Sequence, residues 1–148
     1  MFKEKLIIIC ILISIDQANL KAQVWQEWVT NIAIDSNIFI NSMKVDLQGN
    51  TYLTGHIDGL KTLTIKYKYN GDSQWFDTYD GPMGDRAMDI TIDKEANIYI
   101  TGGTRDSTTA DFLTIKYDTF GNYLWVEKYN SPGNYHDIAK FISTGSSG

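Results

Sequence analysis

From residue 23 onward apolar and polar residues alternate with a period of two, and no stretch keeps a 3.6-residue apolar rhythm long enough for a helix. Leu63, Ile65 and Tyr67 fall on one side of an extended chain and Thr64 and Lys66 on the other, which predicts a strand. Asn70-Gly71 predicts the turn that follows, because both residues accept positive φ at little cost, and Gly121-Asn122 repeats it. Trp75 and Tyr79 share one face of the next strand, as do Trp125 and Tyr129. Gly81-Pro82 and Ser131-Pro132-Gly133 close that strand, since proline has no N–H for a ladder. A fourth strand is predicted around 87–92, with its echo at 138–143. The stretches 46–50 and 93–97 read as five-residue hairpin turns, with aspartate capping the backbone and Gly or Asn in the left-handed position. Apolar residues also sit on the second faces, at Phe76, Val126, Ile98 and Ile100, which is the mark of sheets covered on both sides.

Whole phrases recur. Trp25, Trp75 and Trp125 are fifty residues apart, each followed four positions later by Val29, Tyr79 and Tyr129. Leu63-Thr64-Ile65-Lys66-Tyr67 returns as Leu113-Thr114-Ile115-Lys116-Tyr117, and Asn50-Thr51-Tyr52-Leu53-Thr54-Gly55 as Asn97-Ile98-Tyr99-Ile100-Thr101-Gly102. Such a period marks units that bury their apolar surface by stacking on neighbours. Four antiparallel strands in about 40–50 residues is the arithmetic of a β-propeller blade. The expected fold is all-β: about two and a half four-stranded antiparallel blades over 23–143, an incomplete propeller. A β-sandwich is the runner-up, although it would show longer strands and no repeated phrases.

At these phrases the chain resembles the SBBP-type (seven-bladed β-propeller) repeat family of secreted Bacteroidetes proteins. The shared pattern is D-x-x-G-N-x-Y-x-T-G, T-I-K-Y, G-x-x-x-W-x-x-x-Y and D-x-A-x-x-I. One copy supplies Asp46, Gly49, Asn50, Tyr52, Thr54, Gly55, then 64–67, then Gly71, Trp75, Tyr79, then Asp85, Ala87, Ile90. The next supplies Asp93, Asn97, Tyr99, Thr101, Gly102, then 114–117, then Gly121, Trp125, Tyr129, then Asp137, Ala139, Ile142. The resemblance covers about 24–143 and departs at Ala96, in place of the turn glycine, and at Lys61, opposite the acidic Asp111. It implies a secreted propeller, with any repeated acidic site incomplete.

Lys3 and Lys5 precede a short apolar run from Leu6 to Ile15, and Ala22 offers a small residue for cleavage, so 1–22 reads as an export signal. The run ends at Asp16, short of the ~20 residues that span a bilayer. Cys10 would leave with the signal, and stability would then rest on burial and hydrogen bonding rather than disulfides. The formal charge of −5 becomes −6 without Lys3, Lys5, Lys21, Glu4 and Asp16, which argues against nucleic acid or an anionic membrane as partner. Residues 144–148 have linker chemistry. Closed propellers take about 4–8 blades, so further blades or self-association would have to close the ring.

No residue set announces a reaction, a metal or a cofactor. His56 and His136 fall at unrelated points of the repeat and read as loop surface. The 46–50 loop lacks the alternating carboxylates of a calcium loop, and Asp46 reads as a turn cap. Asp106 and Asp111 flank the longer loop as solvated acids. The stretch 68–75 fails the sialidase Asp-box, with Asn70 and Asp72 where Asp and Gly belong. Trp25, Trp75 and Trp125 read as packing between units rather than a sugar platform. The segments that vary between copies, 56–61 and 103–111, are the expected binding surface. The expected function is a non-catalytic secreted module that binds or scaffolds a protein or glycan. The alternative is a fragment of a larger extracellular enzyme whose catalytic residues lie in missing blades.

Overall fold

The structure is a computed structural model that describes residues 6–16, 21–32, 36–133 and 135–145, the first two stretches as backbone alone. β1 (Leu6–Asp16) pairs antiparallel with β2 (Lys21–Ile32), and the register slips between Cys10 and Ile11. Of the stretch read as an export signal, Leu6–Asp16 forms β1 and Lys21 and Ala22 open β2. Lys3, Lys5 and positions 146–148 of the tail lie outside the described residues.

Two four-stranded antiparallel sheets follow, each built from consecutive strands. The first runs β3 (Ile38–Val45), β4 (Thr51–Ile57), β5 (Lys61–Tyr67) and β6 (Ser73–Asp77) in that order. The second holds β7 (Asp85–Ile92), β8 (Ile98–Arg105), β9 (Ala110–Tyr117) and β10 (Tyr123–Tyr129), again as neighbours. There is no helix among the described residues, and so none long and apolar enough to cross a membrane.

The strand expected at 87–92 is corrected in its place: it pairs with β8 as the first strand of the second sheet, not as the fourth of the first. Its counterpart β3 was not foreseen, because Asn41-Ser42 interrupts the alternation where the register slips between Ile40 and Ser42. The echo at 138–143 joins no ladder, because no strand of its own sheet lies beside it among the described residues. It docks on the second sheet instead, Asp137 N–H donating to Ala110 O at 2.6 Å and Ala139 N–H to Gly102 O at 3.1 Å.

The turns form for the expected reason. Asp46 accepts the N–H groups of Gln48 and Asn50 at 3.0 and 2.8 Å, the Asn50 amide at 2.8 Å and the Tyr52 hydroxyl at 3.0 Å. Asp93 repeats this with Glu95, Asn97 and Tyr99. Gly49 and Ala96 take the left-handed position at φ 81° and 62°, so the alanine carries a Cβ where glycine is strain-free. Asp118 closes a third such turn, on Phe120 and Asn122, between β9 and β10.

The sheets stack through unlike faces. Leu53, Leu63, Ile65 and Tyr67 line one face of the first sheet, and Tyr52, Trp75 and Tyr79 lie on the other. The latter pack against Ile98, Ile100, Leu113, Ile115 and Tyr117, the second sheet's counterpart of the former. The buried apolar side chains remove surface from water at about 25 cal/mol per Å2, the main stabilising term here. The stacked faces also bury polar groups: Thr54 donates to Leu63 O at 3.0 Å, and Lys66 Nζ lies 5.1 Å from the Tyr52 ring and donates to Thr119 O. Phe76 was expected on a covered face but is 64 % exposed: it pairs with Ile65 on the face of β6 turned away from the second sheet.

Candidate functional site

The segments 56–61 and 103–111 come together at one end of the two sheets. Part of each is strand rather than loop: β4 runs to Ile57, β8 to Arg105, and β9 starts at Ala110. The 58–60 turn, the facing ends of β8 and β9, and the link from β6 to β7 border a cavity of about 330 Å3. Its apolar lining comes from Leu60, Met83, Met88 and Ile138, and its charge from Arg86, Arg105, Lys140 and Asp58.

Backbone hydrogen bonds fix this rim. Asp85 N–H donates to Leu60 O at 2.9 Å, Arg105 N–H to Gly84 O at 2.9 Å, and Asp137 N–H to Ala110 O at 2.6 Å, so three segments of chain are tied around the cavity. Two carboxylates hold the links that lead into it. Asp85 is fully buried and accepts the Gly81 N–H, and Asp137 accepts the Ser131 N–H at 2.9 Å. This is the physical role of the repeated aspartate in D-x-A-x-x-I. Asp58, at φ 50°, is turned toward Asn37, whose backbone N–H and side-chain amide both donate to it.

The residues singled out in the sequence are dispersed. His56 lies in β4, not in a loop; it stacks on Phe39 at 4.9 Å and faces the Asn41 amide at 3.3 Å. His136 Nδ1 accepts the Ala110 N–H at 3.1 Å and so helps seat the segment after β10. Asp106 caps its own loop through the N–H groups of Thr108 and Thr109, both at 2.7 Å, and Asp111 accepts from the Thr109 hydroxyl. Asp46 and Asp93 are committed to their turns. Trp75 packs between the sheets while Trp125 stays 37 % exposed beside Tyr99; the Trp25 side chain lies outside the described residues. Among the described residues no three His, Cys, Asp or Glu side chains converge as a metal site would require.

The cations around the cavity were not foreseen. Arg86, Met88, Ile138 and Lys140 are among the variable positions of D-x-A-x-x-I, so the signal lay in how otherwise matching copies differ.

Acid should weaken the fold in two steps. Burial, and then the Arg86 charge, lower the His56 pKa. Below the ordinary histidine value of about 6.5 the unfolded chain therefore binds more protons, and stability falls as pH drops from 7 to 5. Burial pushes Asp46, Asp89 and Asp93 upward, but the hydrogen bonds each accepts outweigh it and leave all three lowered. Their contribution is present above the ordinary value of about 3.9 and is lost as pH falls below it. Urea midpoints measured from pH 8 to 3 should show both steps, and His56→Gln should remove the first while leaving the second.

No protein-family model matches the sequence, and no curated protein matches it.

Proposed function

We propose that the chain is a non-catalytic run of β-propeller blades of the SBBP type, exported and acting as a binding or scaffolding module for a protein or glycan. The observation that carries this is the head-to-tail docking of successive units. Asp85 N–H meets Leu60 O and Asp137 N–H meets Ala110 O, so the segment after β10 begins a third unit on the second sheet as β7 begins the second on the first. A sandwich pairs two inner faces and leaves two outer faces to solvent. Stacking through unlike faces, with the rule then repeated, supports radial repetition instead. Export rests on the basic start, the short apolar run and Ala22. The binding role rests on the varied segments meeting at one end of a repeated scaffold.

Light scattering behind size exclusion, with circular dichroism on the same peak, tests the reading on the signal-cleaved chain. A discrete oligomer with β-sheet signal is expected, because open sheet faces and edges invite completion by another copy. A folded, soluble monomer would count against the propeller.

A further inference from the structure

We propose that the cavity between the two sheets and the segment after β10 is a docking site for a carboxylate-bearing peptide segment, an acidic side chain flanked by an aliphatic one. The proposal rests on the binding-module reading and names the class of ligand and the groups that hold it.

Charge carries the first part of the argument. The chain as a whole is acidic, at −5, yet among the described residues Arg86, Arg105 and Lys140 bring three cations to one cavity against the one carboxylate of Asp58. Among the described residues none of the three is in an ion pair; the pairs that do form, Lys61–Asp80 and Lys94–Glu95, lie elsewhere. Asp58 is held by Asn37 and offers these cations no hydrogen-bonded partner. Three cations outside any ion pair, set beside an apolar wall, form an anion site.

Geometry carries the second part. Arg86 Nε donates a long hydrogen bond to Gly59 O at 3.5 Å, which turns the guanidinium toward the 58–60 turn and leaves its terminal nitrogens for a bidentate carboxylate. Gly59 makes the room: a Cβ there would stand 3.0 Å from Arg86 Nη2. The three cations come from β7, β8 and the segment after β10, whose backbones are hydrogen-bonded around the cavity, so little ordering is needed on binding.

The lining selects among acidic ligands. Leu60, Met83, Met88 and Ile138 present aliphatic and thioether groups, and among the described residues no aromatic ring lines the cavity to stack on a sugar face. A volume of about 330 Å3 lies at the small end for a ligand pocket, which suits one or two residues of a peptide rather than a folded domain.

The test uses fluorescence anisotropy on the full chain with a labelled (Leu-Asp)4 peptide, the neutral (Leu-Asn)4 peptide and an oligogalacturonate. Saturable binding of the acidic peptide alone is expected, weakening as salt rises. Arg86→Gln and Arg105→Gln should each weaken it about tenfold, the scale of one charge-assisted hydrogen bond. Both side chains are exposed, so circular dichroism should match the parent, and Arg86→Lys should restore part of the affinity. Peptide binding that both glutamine variants leave unchanged would overturn the cavity assignment and keep the binding-module reading. Tighter binding of the oligogalacturonate would overturn the peptide class. No binding by any probe on a folded chain would overturn the proposal alone, since the propeller reading beneath it is tested separately by the oligomeric state.

Discussion

Gly102→Ala should cost about 3 kcal/mol or more, a large share of the roughly 5–15 kcal/mol that holds a domain of this size together. The residue has no unusual φ; its requirement is one of space. Gly102 pairs with Ala87, where β7 bulges before Asp89, and the bulge drives the Arg86 carbonyl toward β8. A Cβ at position 102 would stand far inside van der Waals contact distance of that oxygen and also crowd the backbone of Ala87. Backbone cannot swing aside as a side chain can, so relief requires flattening the bulge. Flattening would in turn displace Asp89, which accepts the Ser42 hydroxyl at 2.7 Å and the Ile142 N–H at 3.0 Å and so joins three segments of chain. Gly55 stands in the same relation to Phe39, opposite the bulge in β3. Urea denaturation followed by fluorescence and circular dichroism measures the loss, with Gly145→Ala as control, since nothing lies within 4 Å of a Cβ there. A Gly102→Ala midpoint within about 0.5 kcal/mol of the parent, the range of ordinary surface substitutions, would sink this account of the Thr-Gly phrase.

The strand pairs were legible because alternation and turn chemistry are local. Leu63, Ile65 and Tyr67 announced β5, and Asp46 with Gly49 and Asn50 announced the turn before β4. The sheet boundary was not legible, since the strand at 87–92 has the same pattern whether it closes one sheet or opens the next. Only the partner strand decides, and pairing is a tertiary fact. The bulges at Asn41 and Met88 broke the alternation, so β3 was invisible and the glycines opposite them had no evident purpose. The candidate cavity was half legible. Variation between copies pointed to the right end of the sheets, but Arg86, Arg105 and Lys140 lie 19 and 35 residues apart in sequence and meet only through docking between units. His56 was misplaced because its stacking partner Phe39 lies on the unforeseen strand.

Trp75→Ala should cost about 3 kcal/mol and Trp125→Ala about 1 kcal/mol, although the two residues hold one position in the repeat. The difference is what lies against each ring. Trp75 meets Tyr117 of the second sheet at 6.2 Å, its indole N–H donates to Thr119 O at 3.4 Å, and its ring occupies the space a Cβ at Gly121 would need. Its loss therefore opens a gap between two sheets and unseats the β9–β10 turn, where Lys66 also donates to Thr119 O. Trp125 meets Tyr99 of its own sheet at 6.1 Å and keeps 37 % of its surface in water, with no second sheet packed against it among the described residues. Truncating a ring at the open face of one sheet leaves no gap between two sheets, so the loss is smaller. The two variants, compared by urea midpoint at low and high protein concentration, turn the repeat into a probe of its own completion. Unequal costs at every concentration would mean that the Trp125 face is a free surface in solution. A Trp125→Ala cost that rises toward that of Trp75→Ala with concentration would mean that a second copy covers this face, since only association makes stability depend on the amount of protein. Equal costs at high dilution would contradict the packing described here, because within one chain nothing among the described residues lies over Trp125 as the β9–β10 turn lies over Trp75.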